Sequence, residues 1–135
     1  MAHWLFKSEP EAWSWDAQVK AGRAGTEWTG VRNFAARNHM RAMKQGDRGL
    51  FYHTGTERAV VGTVEVVKEI HPDSTDQAWE CVDIAAVQAL PKPVTLDQVK
   101  AEKRLAEMVL VRISRLSVQP VSEAEWKLVC KMGGL

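Results

Sequence analysis

The chain has 135 residues, 45% of them apolar and 26% charged, with a net charge of +1. That composition belongs to one ordinary globular domain and excludes a disordered or fibrous chain, while the small net charge excludes a protein that holds nucleic acid by bulk electrostatics alone. No window reaches the roughly 18 apolar residues that span a bilayer, and no basic stretch precedes an apolar run at the N-terminus as in a signal peptide; a cytoplasmic protein, or a nuclear one in a eukaryote, is the expectation.

Residues 3–7 are short, apolar and aromatic, and predict a buried first strand. Pro10 forces its predecessor out of the α region and stops it. Ser14 then caps a short helix, with Asp16 in its first turn and Gly22 just past its end. Trp28-Thr29-Gly30 reads as a loop, and a helix is predicted over 31–44. Its Ala36, Met40 and Met43 fall at i, i+4 and i+7 as a buried stripe, and Gly46 is the expected left-handed stop. Strands are predicted over 49–54, over 60–70 ended by His71-Pro72-Asp73, and over 79–90 ended by Pro91 and Pro93. Thr95 to Gln98 and Ser122 to Glu125 have capping-box spacing, so each opens a helix. In the second of these, Trp126, Val129 and Cys130 share one face, which places Cys130 in the core. The segment 110–120 between them is polar and strand-like at its end. Short strands with antiparallel connection lengths, interleaved with helices, fit a small curled barrel with helices packed outside.

Three features bear on chemistry. Between Arg32 and Arg48 stand five basic residues and one acidic residue, Asp47. Arg37, Arg41 and Lys44 recur at i, i+4 and i+7, a face suited to phosphate contacts and equally to plain solvation. Of six tryptophans, Trp4 and Trp126 read as core, whereas Trp28 precedes the basic helix, where it either stacks on a base or plugs the barrel. Polar residues collect at strand ends: Lys7-Ser8-Glu9, Asn33, Tyr52-His53 and Ser114-Arg115-Leu116-Ser117. Such groups satisfy the hydrogen-bonding edge of a base, and each alone is also a common turn or cap. Cys81 and Cys130 have no CxxC or neighbouring histidine, and the four histidines lack metal-ligand spacing, so buried thiols and no metal are expected. No GxSxG, Gly-rich phosphate loop or Cys–His pair is present. Lys7 beside Glu9 is the one weak pointer to a nucleophile or base.

Five segments in order resemble the EVE domain family. They are Trp4-Leu5-Phe6-Lys7-Ser8-Glu9-Pro10, Trp28-Thr29-Gly30-Val31-Arg32-Asn33 through Asn38, Gly46-Asp47 with Phe51-Tyr52-His53, His71-Pro72-Asp73, and Ser114-Arg115-Leu116-Ser117-Val118-Gln119-Pro120 followed by Trp126. The resemblance implies one domain over 1–135: a PUA-like pseudobarrel, α+β, of about five to six mostly antiparallel strands with four or so helices, related to YTH readers and ASCH domains. It implies a non-catalytic reader of a modified base in DNA or RNA, with no cofactor. No basic extension precedes residue 4, so a short stand-alone bacterial form is the expectation. By analogy with YTH pockets, Trp28 stacks on the base, and Ser8, Glu9 and Asn33 meet its polar edge. Lys7, Val31, Tyr52, His53, Leu116 and Ser117 complete the wall. Arg32 and Arg115 brace the pocket or meet phosphate, as Arg37, Arg41 and Lys44 do along the helix; Trp79 is a loose positional candidate for a further cage aromatic. The alternative is a small ASCH-like amidohydrolase acting through Lys7 and Glu9.

Overall fold

The computed structural model describes Met1–Leu135. Strand β1 (His3–Ser8) is apolar on both faces because each face of the sheet is covered by a core. Leu5 and Phe6 are both fully buried, and they point to opposite sides. Ser14 caps α1 (Trp15–Lys20) by accepting from the Ala17 amide. After the short β2 (Thr26–Glu27) comes α2 (Phe34–Ala42), then β3 (Arg48–His53), β4 (Ala59–Asp73) and β5 (Asp76–Thr95). Capping boxes at Thr95 and Ser122 open α3 (Leu96–Ala101) and α5 (Glu123–Met132), with α4 (Val109–Arg112) and β6 (Val118–Val121) between them.

The six strands form one mixed sheet, in the order β2-β5-β4-β3-β1-β6, that curls into an open pseudobarrel flanked by five helices. One pairing departs from the antiparallel expectation. β1 runs parallel to β3, with Phe6 opposite Phe51. Residues 9–47 between these strands carry α1, β2 and α2, a connection long enough to bring the chain back in the same direction. A core lies on each face. One gathers Trp4, Phe6, Trp15, Trp28, Phe51, Ala36 and Met40 of α2, and Met43 just past its end. The other gathers Leu5, Leu50, Tyr52, Val60, Leu105 and Met108 beneath α3, α4 and α5. Cys130 packs at the border of this second core, half-buried, as does Trp126, which stacks on His3 at 4.6 Å.

Several element ends differ from expectation. Helix α2 begins at Phe34, not at residue 31, because Asn33 is its N-cap and accepts from the Ala36 amide at 2.9 Å. It ends at Ala42, so Lys44 is off the helix, and Gly46 (φ +94°) makes the turn into β3 instead of capping α2. Strand β4 continues through His71-Pro72-Asp73. Beyond Val66 its only strand partner is β5, so Pro72 lies on an edge stretch where a missing N–H breaks nothing. Strand β5 likewise runs through Pro91 and Pro93, because the ladder skips from Ala89 opposite Gly62 to Val94 opposite Val60 and leaves both prolines in a bulge.

Candidate functional site

A cavity of about 640 Å³ opens at the C-terminal end of β1. That volume falls in the range of small-ligand pockets, about 300–1,000 Å³. Four stretches far apart in the chain line it: Lys7, Ser8 and Glu9 with Ala12 and Trp13; Thr26 to Arg32; Ser74 in the β4–β5 turn; and Ser117 before β6. They meet because β1 lies between β3 and β6, and the Lys7 amide donates to the Ser117 carbonyl at 2.9 Å.

Two indoles line this space. Trp28 is 8% exposed and meets Phe6 and Phe51 edge-on at 5.5 and 5.7 Å. It therefore plugs the aromatic core and also forms part of the cavity wall. Its amide donates to the Val82 carbonyl at 2.8 Å, which ties the loop to β5. Trp13 is half-buried, and its Nε1 donates to Gln18 Oε1 at 2.9 Å. Gln18 is fully buried and donates in turn to the Ile84 carbonyl, so α1 orients this second ring.

The loop after Trp28 is pinned by Asp73. Gly30 (φ +83°) donates its amide to Asp73 Oδ2 at 3.0 Å, and Arg32 reaches the same oxygen at 3.3 Å. The Thr75 amide and hydroxyl donate to Asp73 Oδ1. Burial pushes the Asp73 carboxyl up, but these bonds overcome that and hold it at about 2, against an ordinary 3.8. Ser8 Oγ donates to the Trp13 carbonyl, and the Ser8 carbonyl accepts from the Thr54 amide at 2.9 Å. Lys7 Nζ donates to the Ser114 carbonyl at 2.6 Å, and burial pushes its ammonium pKa down.

Of the twelve residues expected around a base, Lys7, Ser8, Glu9, Trp28, Val31, Arg32 and Ser117 share this cavity. The other five do not line it. Asn33 engages its side-chain oxygen at the helix cap. Tyr52 faces the second core. His53 accepts from the Trp15 amide through Nε2 and pairs with Glu57 through Nδ1 at 2.6 Å, so it joins α1 to the sheet. Leu116 is buried in the first core, and Arg115 is exposed. Of the three expected phosphate contacts, Arg41 is engaged by Glu80 at 2.6 Å, and Lys44 has left the helix face. Arg37 lies over Phe34 and Trp79.

Sequence reasoning missed Ala12, Trp13, Thr26, Glu27, Thr29, Gly30 and Ser74. Thr29 and Gly30 lie inside the Trp28–Asn38 segment, Glu27 precedes it and Ser74 follows the Pro-Asp turn, so closeness to the family-like segments is the signal that finds them; Trp13 has none. The ligand atoms of Glu27, His71 and Cys81 also lie within 4.8 Å of one another, types that could hold a metal ion. His71 and Cys81 become neighbours only through the β4–β5 register. Within the protein these groups bond to one another: Cys81 Sγ to Glu27 at 3.5 Å, and His71 Nε2 to Asp83 at 2.7 Å. Burial, reinforced by Glu27, pushes the Cys81 thiol up to about 12.

A mixed, curled six-stranded sheet with one aromatic and polar cavity at its strand ends defines a PUA-like pseudobarrel. The EVE domain model matches residues 2–132, and the chain belongs to the EVE domain family. A crystal structure of an Agrobacterium tumefaciens protein superposes with a TM-score of 0.97 at 56% identity, covering 100% of this chain and 94% of that one. Human thymocyte nuclear protein 1 is 31% identical, covering 97% of this chain and 73% of its own length. The crystal structure of human THYN1 in complex with 5-methylcytosine-containing DNA superposes with a TM-score of 0.92 at 30% identity, covering 100% and 99% of the two chains. A YTH domain of Zygosaccharomyces rouxii, bound to N6-methyladenosine RNA, shares the fold at a TM-score of 0.62 and 16% identity, covering 98% and 86%.

Proposed function

We propose that this protein is a non-catalytic reader that takes one modified base of DNA or RNA into the cavity beside β1. The observation that carries the reading is that Trp13 and Trp28 line one space with Glu9, Thr29 and Ser117. An indole gives any base a stacking surface, and the hydroxyls and carboxylate give its edge donors and acceptors. A base inside a duplex enters such a space only by leaving its stack. The human relative captured with 5-methylcytosine-containing DNA supports the same reading. Asn33, Tyr52, His53, Leu116 and Arg115 act behind or beside the cavity in this proposal, not as its lining.

The test is a binding screen of short DNA and RNA oligonucleotides that differ at one modified base. Selective binding lost on Trp28→Ala, measured on the folded fraction because the ring is also part of the core, is the expected result. Equal binding of modified and unmodified probes by the wild type sinks the reading.

A second reading, hydrolysis of a modified nucleoside in the manner of ASCH-like enzymes, is favoured by the desolvation of Lys7. Its Nζ already holds the Ser114 turn, which suits a structural lysine better. Steady release of free base or amine, abolished by Lys7→Ala, would establish that reading instead.

A further inference from the structure

We propose that the stacked rings of Phe34 and Trp79, flanked by Arg32 and Arg37, form a platform for the nucleotide next to the base in the cavity. This rests on the base-reader reading and adds a second subsite to it.

Phe34 is 64% exposed and belongs to neither core. Its ring lies outside both cores, so core burial does not account for an apolar residue there. It is nevertheless held in a defined arrangement. Its ring stacks on Trp79 at 5.2 Å with an interplanar angle of 26°. The Arg37 guanidinium lies 4.8 Å from the Phe34 centroid and 5.8 Å from that of Trp79. The Arg32 guanidinium lies 5.7 Å from the Trp79 centroid. Two rings and two planar cations thus form one contiguous patch where the start of α2 meets β5.

Position and charge decide what this patch fits. Arg32 also lines the cavity, so the platform starts where the rim ends. Asp73 fixes Arg32 there, while Arg37 takes part in none of the chain's ion pairs and its charge is free for an outside anion. Arginine beside an aromatic ring that is itself largely exposed suits a base stacked on the ring and a phosphate on the guanidinium. A chain that delivers one base to the cavity passes this patch with its neighbour.

The test pairs a protein change with a nucleic-acid change. Short single-stranded oligonucleotides are drawn from a panel of modified bases that includes 5-methylcytosine and N6-methyladenosine. Each carries either an intact nucleotide or an abasic site on each side of the modified base. The wild type should bind the intact probe about tenfold more tightly than the abasic one. Phe34→Ala should lose about the same factor on the intact probe and show no further loss on the abasic probe. Phe34→Tyr should restore the difference. Because Phe34 is exposed, its variants should melt as the wild type does. If the wild type selects modified probes but neither the abasic site nor Phe34→Ala weakens binding, the platform is wrong and the cavity reading stands. If no probe is bound selectively, the cavity reading falls and takes the platform with it.

Discussion

On one face of the sheet Trp4, Phe6, Trp15, Trp28 and Phe51 crowd together, while on the other Leu5, Leu50, Val60, Leu105 and Met108 fill the same kind of space with Tyr52 as the one buried aromatic. Both cores exclude water, and only the first is continuous with the cavity lining, through Trp28 and Val31. Aliphatic side chains pack without polar handles, whereas an indole keeps a flat face and an N–H for a ligand. The two sides therefore divide the work. Residues of the second core should act on stability alone, and several residues of the first on stability and recognition together.

The sharpest way to break that division is a pair of truncations. Trp28→Ala should cost about 3–5 kcal/mol in urea melts and remove base selectivity, whereas Leu105→Ala should cost about 3 kcal/mol and leave selectivity of the folded fraction intact. Loss of selectivity in both variants would mean that the two cores are not separable. Gly62→Ala comes next. A Cβ there would lie 2.4 Å from the Trp15 ring, so the variant should lose about 2 kcal/mol in the same melts through displacement of α1.

Asp73 sharpens the picture from the loop side. Its carboxyl is held at about 2 against an ordinary 3.8. A depressed carboxylate adds stability that is full above its unfolded value and lost as pH falls through its folded one. About 2 kcal/mol should therefore disappear between about pH 4 and pH 2, and Asp73→Asn should lack that slope in melts across the range. Trp13→Ala, at a half-buried ring, should weaken binding of a modified probe about tenfold with a smaller stability loss than Trp28→Ala. The smallest effect belongs to Arg41, an exposed partner of Glu80. Arg41→Ala should change binding of every probe alike by about 0.5 kcal/mol and flatten the salt dependence slightly.

Local chemistry made much of this legible. Ser14, Thr95 and Ser122 announce helices because a cap and its amide partner lie three residues apart. Pro72, Pro91 and Pro93 misled for the opposite reason, since whether a proline ends a strand depends on a neighbour that sequence does not name. The parallel run of β1 beside β3 was hidden in the same way. At the cavity, Ser8, Trp28 and Ser117 stood out because their segments resemble a family. Trp13 was silent: its place depends on a hydrogen bond to Gln18 and on the packing of α1. Asn33 and Tyr52 were over-read, because a polar residue at an element's end serves a cap or the opposite face as readily as a ligand.

The bond between the Lys7 amide and the Ser117 carbonyl joins the first strand to the last. A contact so distant along the chain carries a large loop-closure cost and raises the contact order that slows folding. A chain emerging from the ribosome has synthesised Trp13 and Trp28 long before it has the segment that walls them in. Until Ser117 and β6 arrive, the two indoles have no finished chamber, so the cavity exists only once nearly the whole chain has been made.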